Sequence, residues 1–325
     1  MSDIAEHGSH RRWLPHSVVE ILGLLGVLIV LILAFSLVTE RFLTFTTLRT
    51  IANQVPELVI AAVGLTFVLV IANIDLSVGS VLALASAVLG VSMVHYDLGL
   101  LPASLLALAA GLLCGLINGA LTVGFGLPSF IVTLGTLEMA RGGTYLLTRS
   151  QTQYVGADVE VLSDVSILGL SAPFLVAVAI VAASQYVLSR TVFGRYAAAI
   201  GTNEEAVRLA GIDPRPVKLA VFALSGLCAG LAGIVYTARL ASSDPNAAVG
   251  FELQVIAAVV VGGTSLMGGR GSVVGSFLGV LIIAVLGSGL AQTGAQEPTK
   301  RLVTGAVIVA AVVVDYFRRR GDRST

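Results

Sequence analysis

Charge is what this chain most lacks. Only 12% of its 325 residues are Asp, Glu, Lys or Arg, about half the share of an ordinary soluble domain. With 56% hydrophobic residues and a mean hydropathy of +0.95, that scarcity excludes a water-soluble globule and points to a polytopic membrane protein. Nineteen basic residues balance nineteen acidic ones, so nothing marks a nucleic-acid partner. Cysteine is nearly absent: Cys114 and Cys228 sit alone in apolar runs, far from any metal-ligand spacing, and read as small packing residues. Of the four histidines, His7 and His10 lie in the tail, His16 near the first helix and His95 in a short loop. HExxH, nucleophile-elbow and Walker patterns are missing, so no catalytic constellation, metal site or cofactor is expected. No loop or tail is long enough to fold by itself.

What is present is a series of apolar runs. Candidate spans fall at 18–38, 56–74, 78–94, 102–123, 128–147, 167–188, 217–240, 253–266, 272–290 and 302–316. The expected fold is therefore all-α, with about ten transmembrane helices in one domain over 17–317. Short tails at 1–16 and 318–325 flank it. Several runs are shorter than the roughly 20 residues of a straight crossing, which predicts broken or re-entrant pieces. No cleavable leader is apparent, because the first run is itself long enough to span and lacks a small-residue cleavage site. Placing both termini in the cytoplasm puts twelve Lys and Arg inside and six outside, leaving Arg141 within a span. The acidic segment 149–166 then lies outside.

One island breaks the apolar pattern. Residues 189–218 carry five of the nineteen Lys and Arg, and 202–211 reads as one short helix with Thr202 and Glu205 forming a capping box. Glu204 and Glu205 suit the positive end of its dipole, and Glu204 precedes Arg208 by four. Gly211 supplies a left-handed stop, and Pro214 and Pro216 forbid continuation. Ala206, Val207, Leu209 and Ala210 share an apolar arc. Such a helix reads as a docking element for a cytoplasmic partner.

Two joints interrupt the spans. At 72–80, Asp75 caps the next helix or lies on a pathway, while Ser77 and Gly79 let backbones approach. At 262–272, five glycines, beginning with Gly262 and Gly263 beside Thr264, mark a broken helix or tight turn. It is no phosphate loop, since the Lys-Ser or Lys-Thr ending is missing. The similar layout of the two joints hints at an internal duplication. Within spans, Asn118, Thr133 and Thr136 can hydrogen-bond between helices or line a solute path. Glu138 and Arg141, three apart, are expected to form a structural ion pair.

Several motifs in order resemble one family. They are IDLSVGSVLAL (74–84), GLINGALT (115–122), LPSFIVTLGT (127–136), FGRYAAAIGTNEEAVRLAGI (193–212) and VVVGGTSLMGGRGSVVGSFLG (259–279). Together they are similar to the permease subunits of ribose-type ABC monosaccharide importers, over about residues 50–317. The resemblance implies a multi-pass protein of the bacterial inner membrane that pairs with a second permease, identical or related. Cytoplasmic ATP-binding subunits would dock on 189–218. Gly201, Thr202, Asn203, Glu204, Glu205, Ala206, Arg208, Leu209 and Gly211 would form the coupling helix and its flank. A periplasmic sugar-binding protein would deliver substrate, and ATP would be hydrolysed on the partner, so the chain is no enzyme itself. The chain departs from the family pattern at Ala72-Asn73, where many members carry Gly-Gly. Related permeases import branched-chain amino acids, nucleosides or furanosyl signals, which leaves the solute open. An ion-coupled secondary transporter would need Asp75 as its ion site, and an intramembrane enzyme would lack any catalytic pair.

Overall fold

The computed structural model describes residues 16–322, except 41 and 168. The expected tails therefore lie outside the described residues, apart from 16 and 318–322, which are helical. Arg11, Arg12, Arg41, Arg323, His7 and His10 lie outside them too.

In chain order the elements are α1 (His16–Val38), α2 (Phe45–Gln54), α3 (Pro56–Val70), α4 (Val78–Tyr96), α5 (Leu100–Gly124), α6 (Ser129–Thr148), β1 (Gln153–Tyr154), α7 (Ala157–Asp164), β2 (Ser166–Ile167), β3 (Leu170–Ser171), α8 (Ala172–Arg190), α9 (Val192–Thr202), α10 (Glu204–Leu209), α11 (Arg215–Leu240), β4 (Ser242–Ser243), α12 (Phe251–Val261), α13 (Val273–Gln292) and α14 (Glu297–Asp322). Among the described residues the strands form two small antiparallel pairs, β1 with β4 and β2 with β3.

Every expected span overlaps a helix, although those at 56–74, 167–188 and 253–266 include several non-helical residues, and length and composition mark only six described helices as able to cross a bilayer: α1, α4, α5, α8, α11 and α13. The α2–α3 pair, bent by 48°, makes a seventh if it is one span. The difference from ten has physical causes. Helix α12 has 11 residues, about 16 Å at 1.5 Å per residue, against a hydrocarbon core of ~30 Å. Helix α6 carries Glu138 and Arg141, and α14 begins and ends in charged residues.

Helix α3 is the axis of the bundle. All 15 of its residues are buried, in keeping with a sequence apolar on every side. Helices α8, α11, α12 and α13 pack around it. Helix α11 meets α5 along glycines. A Cβ added at Gly226 would overlap the carbonyl oxygen of Gly111 and come within 2.7 Å of the Gly115 nitrogen. These backbones touch because neither side has a side chain to hold them apart.

Helix ends gather at two poles. At one, Ile74 meets Ser129, Gly269 meets Val70, Glu204 meets Lys218, and Gln185 accepts from the Val274 nitrogen. At the other, Glu57 meets Arg239, His95 meets Gln153, Ser171 meets Asn53 and Gln292 meets Thr47. The segment 149–166, expected to be a loop, also contains α7 and ties to α11 through β1–β4, and the span expected from 167 begins as a helix only at Ala172, after the β2–β3 pair.

Valine at Gly226 should force α5 and α11 apart and cost about 1–3 kcal/mol or more by overpacking. Thermal unfolding of the purified protein checks this. Gly287→Ala, where an added Cβ meets nothing within 4 Å, should leave the midpoint unchanged or slightly raised.

Candidate functional site

The first joint follows from the way α3 ends. Asn73 N–H donates to the Val68 carbonyl and Ala72 N–H to that of Leu69, the crossed pair that closes a helix through a left-handed residue. That residue is Ala72, with φ +57°. Glycine adopts this conformation without a Cβ penalty, which accounts for glycine in the resembled pattern. Asn73 Nδ2 donates to the Ile71 carbonyl at 2.9 Å, a local bond that supports the strained turn.

Asp75 then organises the gap before α4. It is 2% exposed. Its Oδ1 accepts from the Ser77 backbone N–H at 2.9 Å and the Ser77 hydroxyl at 2.6 Å, and its Oδ2 accepts from Ser225 Oγ on α11 at 2.7 Å. Asn118 on α5 donates to Ser77 Oγ at 3.0 Å, and Thr136 on α6 donates to Asn118 Oδ1 at 2.6 Å. Thr133 Oγ1 accepts from the Leu76 N–H, and Ser129 Oγ accepts from the Ile74 N–H, both at 3.1 Å. Four helices are thus joined by side chains that satisfy an otherwise bare backbone. Gly79, just inside α4, lies against Glu252: an added Cβ would overlap its Oε2.

The second joint repeats the first stop. Gly263 N–H donates to the Val260 carbonyl and Thr264 N–H to that of Val259, with Gly263 at φ +87°. Gly262 presses on Gly275, and buried Thr264 lies at 3.4 Å from Ser276 Oγ. The two joints touch: Gly269 N–H donates to the Val70 carbonyl at 2.9 Å. Gly201, near the end of α9, is wedged there as well, since a Cβ on it would overlap the Val70 carbonyl oxygen and come within 2.6 Å of the Gly269 nitrogen.

The expected single helix at 202–211 is two elements. Thr202 ends α9 and donates its hydroxyl to the Ala198 carbonyl, so it caps nothing. The N-cap of α10 is Asn203, whose Oδ1 accepts from Ala206 N–H at 3.0 Å. An Asn side chain placed directly before the first helical residue wins over Thr202, which the preceding helix has already claimed. Gly211, φ +81°, does stop the helix: its N–H donates to the Arg208 carbonyl, and that of Ile212 to Val207. The expected apolar arc does not form. Val207 alone is buried, while Leu209 is 84% exposed and Ala206 and Ala210 face out. Gly201 is buried and does not belong to this outer surface.

Glu204 pairs with Arg208 and with Lys218 Nζ at 3.0 Å, tying α10 to α11. A cleft of about 460 Å³ opens beside it, lined by Asn73, Ser129, Glu204, Arg208, Arg215 and Lys218 among others. Partial burial raises the Glu204 carboxyl, but hydrogen bonds and charge from Lys218 and Arg208 outweigh it and hold the group below its ordinary 4.5.

The expected Glu138–Arg141 pair is absent. Arg141 Nη1 donates to the carbonyls of Pro245 at 3.2 Å and Ala247 at 2.7 Å. The non-helical turn before α12 presents these carbonyls, which need donors more than an exposed carboxylate does. Glu138 faces outward and makes no hydrogen bond or ion pair among the described residues. Sequence reasoning missed Ser225 as the Asp75 partner and missed the Glu57–Arg239 pair, 2.6 Å apart across α3 and α11. No local spacing connects positions 182 residues apart.

Comparisons with known proteins bear on this geometry. A family model described as branched-chain amino acid transport system / permease component matches residues 47–312. The chain is 39% identical over 295 residues to the ribose import permease protein RbsC of Haemophilus influenzae, covering 89% of this chain and 91% of that one. It is 33% identical over 308 residues to the fructose import permease protein FrcC of Rhizobium meliloti, with 90% and 84% covered. It is 35% identical over 295 residues to the D-allose transport system permease protein AlsC of Escherichia coli, with 90% of each covered. No solved structure matches.

Asp75→Ala should strand Ser225 and both Ser77 donors, at about 1–3 kcal/mol per buried group. Folded yield on size-exclusion chromatography should fall sharply, and Asp75→Asn, which keeps an acceptor at Oδ1, should retain most of it. The Glu204 pairing has a defined pH range. A carboxyl lowered in the folded state stabilises fully above its unfolded value and loses that contribution as pH falls through the folded one. The protection factor for hydrogen exchange over 203–211, corrected for the intrinsic pH dependence of exchange, should therefore be flat above 4.5 and fall below it. Glu204→Gln should show lower protection at neutral pH and lack the acid step.

Proposed function

The chain belongs to the branched-chain amino acid transport system / permease component family, and from this premise we propose that it is the transmembrane subunit of an ATP-driven importer for a monosaccharide in the bacterial inner membrane. The relatives named for ribose, fructose and D-allose support a sugar as the solute class. We further propose that α6, α12 and α14 complete about ten membrane segments, with α12 reaching only part of the depth. The pole holding α9, α10 and both joints faces the cytoplasm, in line with the charge distribution, and the pole holding α7 faces outward. Both termini are then cytoplasmic.

One observation carries the mechanism: the backbone contact of Gly201 with Val70 and Gly269. ATP-binding partners hold the outer face of α10, where Glu205, Ala206, Arg208 and Leu209 are exposed. A push on α10 passes through α9 to Gly201, which has no side chain to yield. It therefore reaches the end of α3 and the 262–272 turn together. A second route runs from Glu204 through Lys218 into α11. Seven residues on, two turns along the same face, Ser225 holds Asp75. Closure of the partner thus moves both joints as one body. Outside, the segment carrying α7 receives the sugar-binding protein, and a second permease, identical or related, forms the other half of the pathway.

Purification from native membranes in mild detergent tests this reading. Wild-type protein should bring down an ATP-binding subunit and support ATP-dependent uptake of one of these sugars. Leu209→Asp and Arg208→Glu should insert normally but lose about tenfold or more of the co-purified ATPase, as expected for groups central to an interface. Gly201→Asp should fail earlier, by loss of folded protein, because its side chain has no space. Recovery of the wild-type chain alone, with nucleotide present, would sink the proposal.

A further inference from the structure

Glu138 is the tenth residue of the 20-residue helix α6. At 1.5 Å per residue that puts it about 15 Å from either end, the mid-depth of a hydrocarbon core of ~30 Å. Its side chain faces away from the bundle. A lone carboxylate at that depth is too costly to face lipid, and the partner nearest in sequence, Arg141, is already engaged with backbone carbonyls.

The surroundings of Glu138 on α6 are equally specific. At about 100° per residue, Gly135, Glu138, Gly142 and Tyr145 share one arc. A Cβ added at Gly135 or Gly142 would meet nothing within 4 Å, so contacts within this chain give no reason for glycine at either position. These two glycines leave open space one turn to either side of the carboxylate. Further along the arc the Tyr145 hydroxyl donates to Asn246 Oδ1 at 2.9 Å, in an exposed pair. Acceptor, amide and aromatic hydroxyl thus border a gap made by glycine, on a helix that packs on α4 and α5 and leaves its other side uncovered.

We propose that this face of α6 is a wall of the solute path and that Glu138 accepts hydrogen bonds from the hydroxyls of the passing monosaccharide, with Tyr145 and Asn246 as outer contacts. The inference rests on the importer reading above. A carboxylate takes hydroxyl donors at several angles, which suits a polyol that slides rather than one held in a single pose. Gly135 and Gly142 provide clearance for the ring.

The test uses right-side-out vesicles containing the complete transporter. Uptake of D-ribose, D-allose and D-fructose identifies the working probe. Glu138→Leu should cut its uptake by about tenfold or more, as for loss of a charged acceptor, and Glu138→Gln by less. Basal ATPase activity and assembly should be unchanged in both. With Cys114 and Cys228 replaced by Ala, Gly142→Cys should react with a charged, membrane-impermeant thiol reagent, and the transported sugar should slow the reaction. Glu138→Leu transporting at the wild-type rate would overturn the inference while leaving the importer reading intact. So would a Gly142→Cys thiol that resists the reagent. A disulfide between two copies on oxidation, together with no slowing of the thiol reaction by sugar, would make the face a closed seam between helices and overturn the inference as well. Wild-type vesicles that take up none of the three sugars would remove the monosaccharide reading and this inference with it.

Discussion

A helix interrupted among apolar neighbours has to replace the hydrogen bonds it gives up, and most of this structure serves that need. Between Val70 and Val78 the chain loses its helical pattern, and the polar groups of Asp75 and Ser77 there are buried. Asp75 supplies acceptors to Ser77 and Ser225, and Ser129, Thr133, Asn118 and Thr136 complete the set. Because those residues sit on α5, α6 and α11, satisfying one gap also fixes three helices against the α3–α4 unit. The same groups that repair the break therefore determine the register of the bundle.

Glycine determines how closely the backbones of that bundle approach. At Gly201, Gly262 and Gly226 backbones meet with no flexible side chain between them. Contacts of this kind transmit displacement because packed interiors deform little. The α9–α10 unit, the end of α3 and the 262–272 turn are consequently held in direct backbone contact. The polar tie from Glu204 to Lys218 adds a parallel link into α11.

Legibility followed sequence distance. Gly211 as a helix stop and Glu204 paired with Arg208 were readable, because both depend on residues within one turn. Thr202 was misread as a cap because its own helix, α9, was not recognised; with Val192–Thr202 assigned, Asn203 becomes the natural cap. Arg141 was misread for another reason. Helical spacing allows a bond to Glu138, yet a turn a hundred residues away presents two carbonyls to it. Leu209 followed an apolar pattern but is exposed, since a six-residue helix buries only one contact, Val207.

Composition and the run lengths of apolar residues determined by themselves that this is an all-α membrane protein with broken helices and one charged island. Those properties are local: they follow from side-chain solubility and from turn chemistry over three or four residues. The tertiary structure alone decided which polar groups meet. It brought Ser225 to Asp75, Arg239 to Glu57, and Gly201 to Val70, and it left Glu138 facing outward. Each of these depends on how helices far apart in sequence pack, and packing depends on the shapes of whole helix faces rather than on any one spacing.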